Sequence, residues 1–379
     1  MRFKDAFEHY KNGTATASER DFVEEELEKA QLIEEYRNED WIDPTFSENL
    51  TPDYQIVRKK LRKNKMITVL LPVGIVAALA AMMIFWGIPA AESSFWNPTE
   101  VAVYEDNIAG IHYSGRKIFD MTMTAYTELL HPGYVYEGAR ITKTGFAQYH
   151  LGFSRHQIGQ DSDYEELTAV LDRGRLTLPY EFIRSNLSLN LIARASYPIY
   201  NMDEAQKARV REQLEELPEY VRLTAAISFP EDLTMEQLLT FLDSHEGFMY
   251  WAGIRNSPED VQRYPLCGIR PYATGYSAGE NFNHFYPAFD LGETDKTAED
   301  LENHFTSILQ YVLDQRDILL AAESGMEKPE YFEAVLAYTQ EDGIKTYGGV
   351  FCSSPQTFLD MLDSGAVTQV WPMDAEIQF

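Results

Sequence analysis

One pentapeptide matches a catalytic motif. Residues 275–279 read Gly-Tyr-Ser-Ala-Gly, the Gly-x-Ser-x-Gly pattern that holds a serine nucleophile on a sharp turn between a buried strand and a helix. Residues 270–274 (Arg-Pro-Tyr-Ala-Thr) cannot form an apolar strand before the serine, and asparagines at 281 and 283 stand where a helix would begin. Turn glycines explain the match better than hydrolysis, so we assign no catalytic residue and expect a protein that is not an enzyme.

The cysteines and histidines give no strong metal signal. Cys267 and Cys352 are the only two cysteines, too few for a disulfide scaffold or a four-cysteine zinc site. Two alternatives stay open for them, a disulfide bond or two separate buried thiols. His150 and His156 are the one close histidine pair, and a spacing of six suits no regular ligand face; no EF-hand-like loop is present either. We therefore predict no metal and no cofactor.

An uncharged segment divides the chain. Residues 66–88 contain no charged side chain and would span roughly 34 Å as a helix, enough to cross a bilayer core. A buried helix of a soluble protein is the alternative, but such helices seldom run so long while apolar on every side. The segment begins far from the N-terminus and lacks a small-residue cleavage site, so we predict a transmembrane anchor at 66–88 rather than a signal peptide.

The flanks of this segment indicate its orientation. Six cationic side chains lie directly before it, while no lysine or arginine follows until Arg116. Because positive charge is retained on the cytoplasmic side of a span, residues 1–65 are predicted to be cytoplasmic and residues 89–379 extracytoplasmic in a single-pass protein of the cell membrane. Residues 38–65 form a linker that ends in these topology-setting residues: Arg58, Lys59, Lys60, Arg62, Lys63 and Lys65.

The overall charge restricts the class of partner. The chain carries 60 acidic against 32 basic residues, a formal net charge of −28. Most of the excess lies after the span and would repel phosphate backbones, so a nucleic-acid partner is not expected. A hydrophobic content of 45% over 379 residues is enough to bury a sizeable core, which argues against global disorder.

The segment before the linker, residues 1–37, is predicted to be a helical head. Phe3, Phe7 and Tyr10 follow the i, i+4, i+7 spacing of one helix face. Asn12-Gly13 suits a helix C-terminus, and Thr16 with Glu19 fits a capping box that opens a second helix. Two such helices bury little surface alone. One reading is a hairpin that only packs on itself; we favour a docking element whose partner-binding residues are Phe3, Phe7, Tyr10, Phe22, Val23 and Leu27.

The remainder is predicted to be an α+β fold with a mixed or antiparallel sheet built from βαβ units. Residues 89–210 form a strand-rich region and residues 211–379 an α/β sensor domain. Strand propensity favours strands at 101–104, 117–122, 187–191, 221–229, 248–254, 346–352 and 367–373. Helical periodicity and capping signals favour helices at 164–171, 234–244, 298–321, 331–338 and 355–363.

Two parts of the chain resemble a known family. The opening Phe-Lys-Asp-Ala-Phe-Glu-His-Tyr-Lys, then residues 23–29, a basic stop and one span resemble the N-terminal part of the sigma factor regulator family, membrane-bound anti-sigma-type proteins of Gram-positive bacteria. Residues 347–350 (Tyr-Gly-Gly-Val), a polar turn, an amphipathic helix and a final strand resemble that family's C-terminal domain. The resemblance implies a head that binds an extracytoplasmic-function sigma factor, or a companion membrane regulator, and an outer domain that senses.

We therefore expect a single-pass membrane regulator that binds and restrains such a sigma factor in response to an envelope signal. The His-x-x-x-Cys-x-x-Cys zinc motif of another anti-sigma class is absent, so nothing is carried over from those proteins. The alternative is a membrane-anchored cell-surface binding protein with no transcriptional role.

Overall fold

The computed structural model describes residues 3–38, 73–105, 112–157, 164–183, 201–258, 266–272, 285–292 and 296–377. The chain divides into two compact units, Met1–Gly87 and Ile88–Phe379. We call them the N-terminal unit and the C-terminal unit.

The N-terminal unit begins with a helical hairpin, called the head below. Helix α1 is Phe3–Lys11 and helix α2 is Ala17–Asn38. Gly13 lies between them with φ +72°, a left-handed conformation that glycine adopts without strain and that ends α1. The capping box is also present, since the Thr16 amide donates to Glu19 Oε2 at 2.8 Å and the Glu19 amide donates to Thr16 Oγ1 at 3.4 Å. Both predicted helices are confirmed.

Helix α3 spans Val73–Glu92. Within the part of the chain that the structure describes, it is the one helix long and apolar enough to cross a membrane, and none of it is buried. Phe85 and Trp86 are each 72% exposed. At about 1.5 Å per residue its 20 residues extend roughly 30 Å. Residues 66–72 of the predicted span, and the whole cationic flank, lie outside the described residues.

After the end of α3, the C-terminal unit consists of helices and strands. The described helices are α4 Ile118–Leu130, α5 Tyr180–Ile183, α6 Glu204–Glu216, α7 Met235–Ser244, α8 Ala298–Asp314, α9 Arg316–Ala321, α10 Pro329–Asp342 and α11 Pro355–Ser364. The described strands are β1 Val101–Glu105, β2 His112–Lys117, β3 Tyr134–Gly145, β4 Gln148–Gln157, β5 Tyr164–Asp172, β6 Arg175–Thr177, β7 Val221–Thr234, β8 Phe248–Ile254, β9 Cys267–Ile269, β10 Ala322–Ser324, β11 Lys345–Ser353 and β12 Gln369–Ile377.

These strands form two five-stranded sheets and a β1–β2 ribbon. The first sheet has the order β10-β6-β5-β4-β3, antiparallel except for the parallel pair β10–β6. The second sheet has the order β12-β7-β11-β8-β9 and is antiparallel throughout. One apolar core contains side chains of both sheets and of α4, α7, α8, α10 and α11. The predicted α+β class, with mixed and antiparallel sheets, is confirmed.

The Tyr-Gly-Gly-Val segment has a structural explanation. The pairing register of β11 shifts between Thr346 and Gly348 on both sides, which is a bulge in a central strand. Gly348 has φ +145°, and a Cβ there would collide with the carbonyl oxygen of Ile227. A Cβ on Gly349 would collide with the carbonyl oxygen of Trp251. Both neighbouring strands therefore approach β11 too closely for any side chain at these two positions.

Two element predictions are wrong. Residues 117–122 were expected to form a strand, but most of them open helix α4, whose residues are nearly all buried. Residues 164–171 were expected to form a helix, but they form strand β5, in which Leu167, Ala169 and Leu171 alternate with exposed positions. The predicted helix 298–321 is interrupted at Gln315, which separates α8 from α9. The predicted strand at 187–191 lies outside the described residues.

The other element predictions are confirmed within a few residues. They are the strands at 101–104, 221–229, 248–254, 346–352 and 367–373 and the helices at 234–244, 331–338 and 355–363. The expected cap of α7 is also present, since Thr234 accepts from the Gln237 amide and the Gln237 side chain accepts from the Thr234 amide.

Candidate functional site

The head exposes an apolar surface that its own fold does not cover. Phe3 is 41% exposed, and Phe7 and Leu27 are each 37% exposed. The rings of Phe3 and Phe7 stack with centroids 5.5 Å apart, and Phe22 meets Phe3 edge-on at 6.3 Å. The aromatic rings are therefore held together as a cluster, and the predicted anchors Phe3, Phe7 and Leu27 remain accessible to a partner.

Two other predicted anchors have contacts within the hairpin. Val23 is fully buried, together with Ala6 and Ala15. The Tyr10 hydroxyl donates to Glu24 Oε1 at 3.2 Å. Val23 therefore packs the hairpin rather than facing solvent, and Tyr10 lies at the border between the apolar cluster and the acidic side of α2.

Helix α2 exposes further apolar side chains beyond the end of α1. Leu32 is 59% exposed and Ile33 is 67% exposed. Helix α2 has 22 residues and α1 has nine, so α1 can cover only part of its length. Helical spacing already places Ile33 on the apolar side of α2, whereas Leu32 falls beside that stripe. We name the five exposed residues the head surface: Phe3, Phe7, Leu27, Leu32 and Ile33.

The charges around the head surface are mostly acidic. Backbone and side-chain hydrogen bonds from Thr16 and His9 lower the pKa of Glu19 to about 2, and His9 Nδ1 lies 3.0 Å from Glu19 Oε1. Lys29 Nζ lies 2.8 Å from Glu25 Oε1, and this ion pair lowers the pKa of Glu25. The carboxylates at the start of α2 are thus ionised at neutral pH and favour a basic partner.

The C-terminal unit buries a charged cluster. Glu128 on α4 and His304 on α8 are both fully buried, with His304 Nε2 2.7 Å from Glu128 Oε1. His304 Nδ1 lies 2.8 Å from the Ala288 carbonyl oxygen. The Arg270 amide donates to Glu128 Oε1 at 2.8 Å, and its guanidinium donates to Oε2 at 3.2 Å. Trp251 Nε1 donates to the Glu128 carbonyl oxygen at 2.8 Å.

The protonation of this cluster follows from its geometry. Burial raises the pKa of Glu128, but the charges of Arg270 and His304 and their hydrogen bonds outweigh burial and leave the pKa lowered. The two ring nitrogens of His304 face the Ala288 carbonyl oxygen and the Glu128 carboxylate. Among the described residues, Glu128, Arg270 and His304 form an ion network inside the core that joins α4, α8 and the residue after β9.

An open pocket of about 490 Å³ lies beside the start of α4. Within it Asp120 accepts from the Tyr136 hydroxyl and from the Ala139 amide, both at 2.8 Å. Lys117 Nζ lies 3.7 Å from Asp120 Oδ2, and the exposed Arg116 lies at the rim. The pocket has polar groups of both signs and could hold a small polar ligand. Its lining residues are Val101, Arg116, Lys117, Asp120, Thr124, Tyr136, Glu137 and Gly138.

The remaining candidate residues have these positions. Cys267 and Cys352 are both free and buried. They pair with Ile254 and Phe248, at opposite ends of β8 and six residues apart, a separation of about 20 Å that no disulfide spans.

The pentapeptide 275–279 lies outside the described residues. Among the residues that are described, no group of three or more histidine, cysteine, aspartate or glutamate side chains is arranged to hold a metal.

Comparison with known proteins gives one match. Residues 214–370 match the model of a family described as sigma factor regulator C-terminal. No curated protein and no solved structure matches the chain. The matched segment contains β7, α7, β8, β9, α8, α9, β10, α10, β11 and α11 and does not include the head. Residues 214–370 are thus similar to the C-terminal domain of sigma factor regulators, which supports a sigma factor regulator family and suggests a role in sigma factor regulation.

Proposed function

We propose that the head is the surface through which this chain binds and restrains an extracytoplasmic-function sigma factor, directly or through a companion membrane regulator. The observation that carries the proposal is the head surface. Its five exposed apolar side chains lie on a hairpin whose own buried apolar residues are Ala6, Ala15 and Val23. So small an interior leaves apolar area that a partner would cover with a favourable free energy.

The proposed inhibition is steric. Phe3 and Phe7 would enter apolar depressions of the partner, and the acidic side chains of α2 would attract a basic surface around them. While the sigma factor is held in this way, the head covers part of the surface with which the sigma factor would bind its other partners. The proposal requires no catalytic step.

Membrane anchoring is the second part of the proposal. Helix α3 is long, apolar and unburied, and the cationic flank at 58–65 precedes it in the sequence. These features support a single-pass arrangement with the head in the cytoplasm and the C-terminal unit outside the cell membrane. A sigma factor bound to the head would then be kept at the membrane.

The C-terminal unit is the proposed sensor of an envelope signal. In the second sheet, β11 lies between β7 and β8, and β7 lies between β12 and β11. Because neighbouring strands are antiparallel, we infer that β7–α7–β8 and β11–α11–β12 are two interleaved split βαβ units. This arrangement would give the sensor a rigid frame, and the pocket beside α4 is the candidate place for a small ligand.

A second candidate function rests on that pocket. A chain whose C-terminal unit binds an envelope component, with the head serving only as part of an anchor, would have no transcriptional role. Deleting residues 1–57 separates the two functions. Under our proposal, the deletion raises expression from promoters of the restrained sigma factor; unchanged expression would favour the surface-binding function.

A further inference from the structure

The C-terminal residue of α3 is hydrogen-bonded to residues at and beside a turn of the first sheet. The Ala147 amide donates to Glu92 Oε1 at 2.8 Å, and Lys143 Nζ donates to Glu92 Oε2 at 2.7 Å. Glu92 is the last residue of α3, and Ala147 belongs to the turn between β3 and β4. The ring of Phe95, three residues after Glu92, meets the ring of Phe146 edge-on at 6.0 Å.

A second turn lies beside the first. The Arg173 amide donates to the Ala147 carbonyl oxygen at 2.8 Å. A Cβ on Gly174 would lie 3.6 Å from the Phe95 ring, so the turn between β5 and β6 lies near that ring. The turns at residues 146–147 and 173–174 therefore form one end of the first sheet, adjacent to the end of α3. We call this surface the turn pair.

The exposed side chains of the turn pair suit a lipid headgroup layer. Phe146 is 36% exposed, and the side chain of Arg173 is 60% exposed. Aromatic rings and long cationic side chains concentrate where a membrane meets water, because the ring and the aliphatic stem enter the apolar region while the charge stays hydrated. Hydrogen bonds from Ala147 and Lys143 to Glu92 keep the turn pair close to the last residue of α3.

We propose that the turn pair is a membrane-contact site, with Phe146 inserted among lipid headgroups and Arg173 facing their phosphates. This inference rests on the proposed function, since it requires α3 to span the bilayer. It adds a second attachment between the chain and the membrane. A conformational change in the first sheet would then alter both the contact with lipid and the hydrogen bonds to Glu92.

Photo-cross-linking of the full chain in vesicles tests this site. The photoreactive residue p-benzoylphenylalanine replaces Phe146, and vesicles of phosphatidylethanolamine and phosphatidylglycerol supply the lipid. The matched control replaces Tyr164, an aromatic residue that is 54% exposed at the opposite end of β5. Nine residues of β5 put the two ends of that strand about 27 Å apart. Replacement of Trp86 tests the helix itself.

We expect lipid cross-links at positions 86 and 146, with those at position 164 at least tenfold fewer. Cross-links at 86 without cross-links at 146 would overturn the contact site and leave the membrane anchor in place. Equal cross-linking at 146 and 164 would also overturn it, because the turn pair would then be no closer to lipid than the far end of the sheet. Absence of cross-links at 86 would overturn the anchor and the contact site together.

Discussion

His304 Nε2 lies 2.7 Å from Glu128 Oε1, although 176 positions separate the two residues in the chain. Both side chains are fully buried, and Arg270 contacts the same carboxylate. Glu128 therefore ties together helix α4, the residue that follows β9, and helix α8. A buried carboxylate that both Arg270 and His304 contact favours one arrangement of these elements, because displacing any of them would separate hydrogen-bonded polar groups inside the core.

Replacing Glu128 with glutamine should strongly destabilise the C-terminal unit. The substitution removes the charge of the carboxylate that Arg270 and His304 both contact inside the core, and removing one partner of a buried ion pair costs about 3–5 kcal/mol. Denaturant unfolding of the full chain in detergent measures this loss. The exposed Glu219→Gln is the matched control and should change the free energy of unfolding by less than about 0.5 kcal/mol. Equal effects of the two variants would contradict a structural role for the cluster.

The Glu128 carboxylate should also make the folded chain less stable in acid. The pKa of Glu128 is lowered in the folded chain, so folding favours its ionised form. Its contribution is fully present above the unfolded pKa, about 4.3, and is lost as the pH falls through the folded value. Glu128→Gln should remove this part of the acid sensitivity, visible as a flatter dependence of unfolding on pH below 4.3. An unchanged pH profile in the variant would count against the lowered pKa.

His131 should make the chain less stable in weak acid. Burial, with a smaller contribution from the Arg155 charge, lowers the pKa of His131 to about 3, whereas an unfolded histidine titrates near 6.5. The unfolded chain binds one more proton between these values, so stability falls by about 1.4 kcal/mol for each pH unit below 6.5. In His131→Phe the dependence of unfolding free energy on pH should lose the contribution of one proton, about 1.4 kcal/mol per pH unit. The exposed His150→Gln should keep the wild-type slope, and a loss of slope in both variants would refute the assignment.

The bulge in β11 should not tolerate a side chain. In Gly348→Ala the new methyl group collides with the Ile227 carbonyl and the backbone remains at φ +145°, so we expect a loss of at least about 2 kcal/mol. Gly152 in β4 has nothing within 4 Å of its Cβ position, and Gly152→Ala should stay within about 1 kcal/mol of wild type. Thermal unfolding compares them. Similar melting temperatures for the two variants would mean that the Tyr-Gly-Gly-Val segment is not needed for the sheet.

The distal half of α2 should contribute to partner binding. Among the large apolar side chains of the head whose exposure is described, Leu32 and Ile33 are the most exposed. Replacing both with serine should therefore weaken binding at least tenfold without unfolding the hairpin. Circular dichroism of the full chain checks the helix content. Glu34→Gln, an exposed change on the same turn of the helix, serves as the control. If only the control weakens binding, charge rather than apolar contact governs this part of the surface.

Local sequence signals predicted much of the fold because the decisive interactions are local. The capping pairs Thr16 with Glu19 and Thr234 with Gln237 each act across three residues, and both were visible in the sequence. Helix α4 was missed because it is buried on nearly every side and shows no polar face; Thr122 and Thr124 bond back to the carbonyls four residues earlier. Strand β5 was missed because its glutamates favour helix, although its apolar residues alternate.

In the candidate sites, too, features that depend on local spacing could be predicted, and features that depend on distant contacts could not. The aromatic stripe of α1 depends on spacing along one helix, so Phe3 and Phe7 could be predicted, whereas burial of Val23 depends on how α1 packs against α2. The Glu128 cluster joins residues more than 140 positions apart, and no spacing rule predicts such contacts. The membrane-contact site likewise depends on Glu92 meeting a turn 55 residues later.

Affinity purification of the full chain from Gram-positive cells in detergent, with sigma factors quantified by mass spectrometry, tests the central claim most directly. Wild-type chain should recover an extracytoplasmic-function sigma factor, alone or with a companion membrane regulator. The double variant Phe3→Ser and Phe7→Ser, which removes two exposed rings and leaves Val23 in place, should recover at least tenfold less. Recovery of no such protein by the wild type, or equal recovery by the variant, would contradict the account.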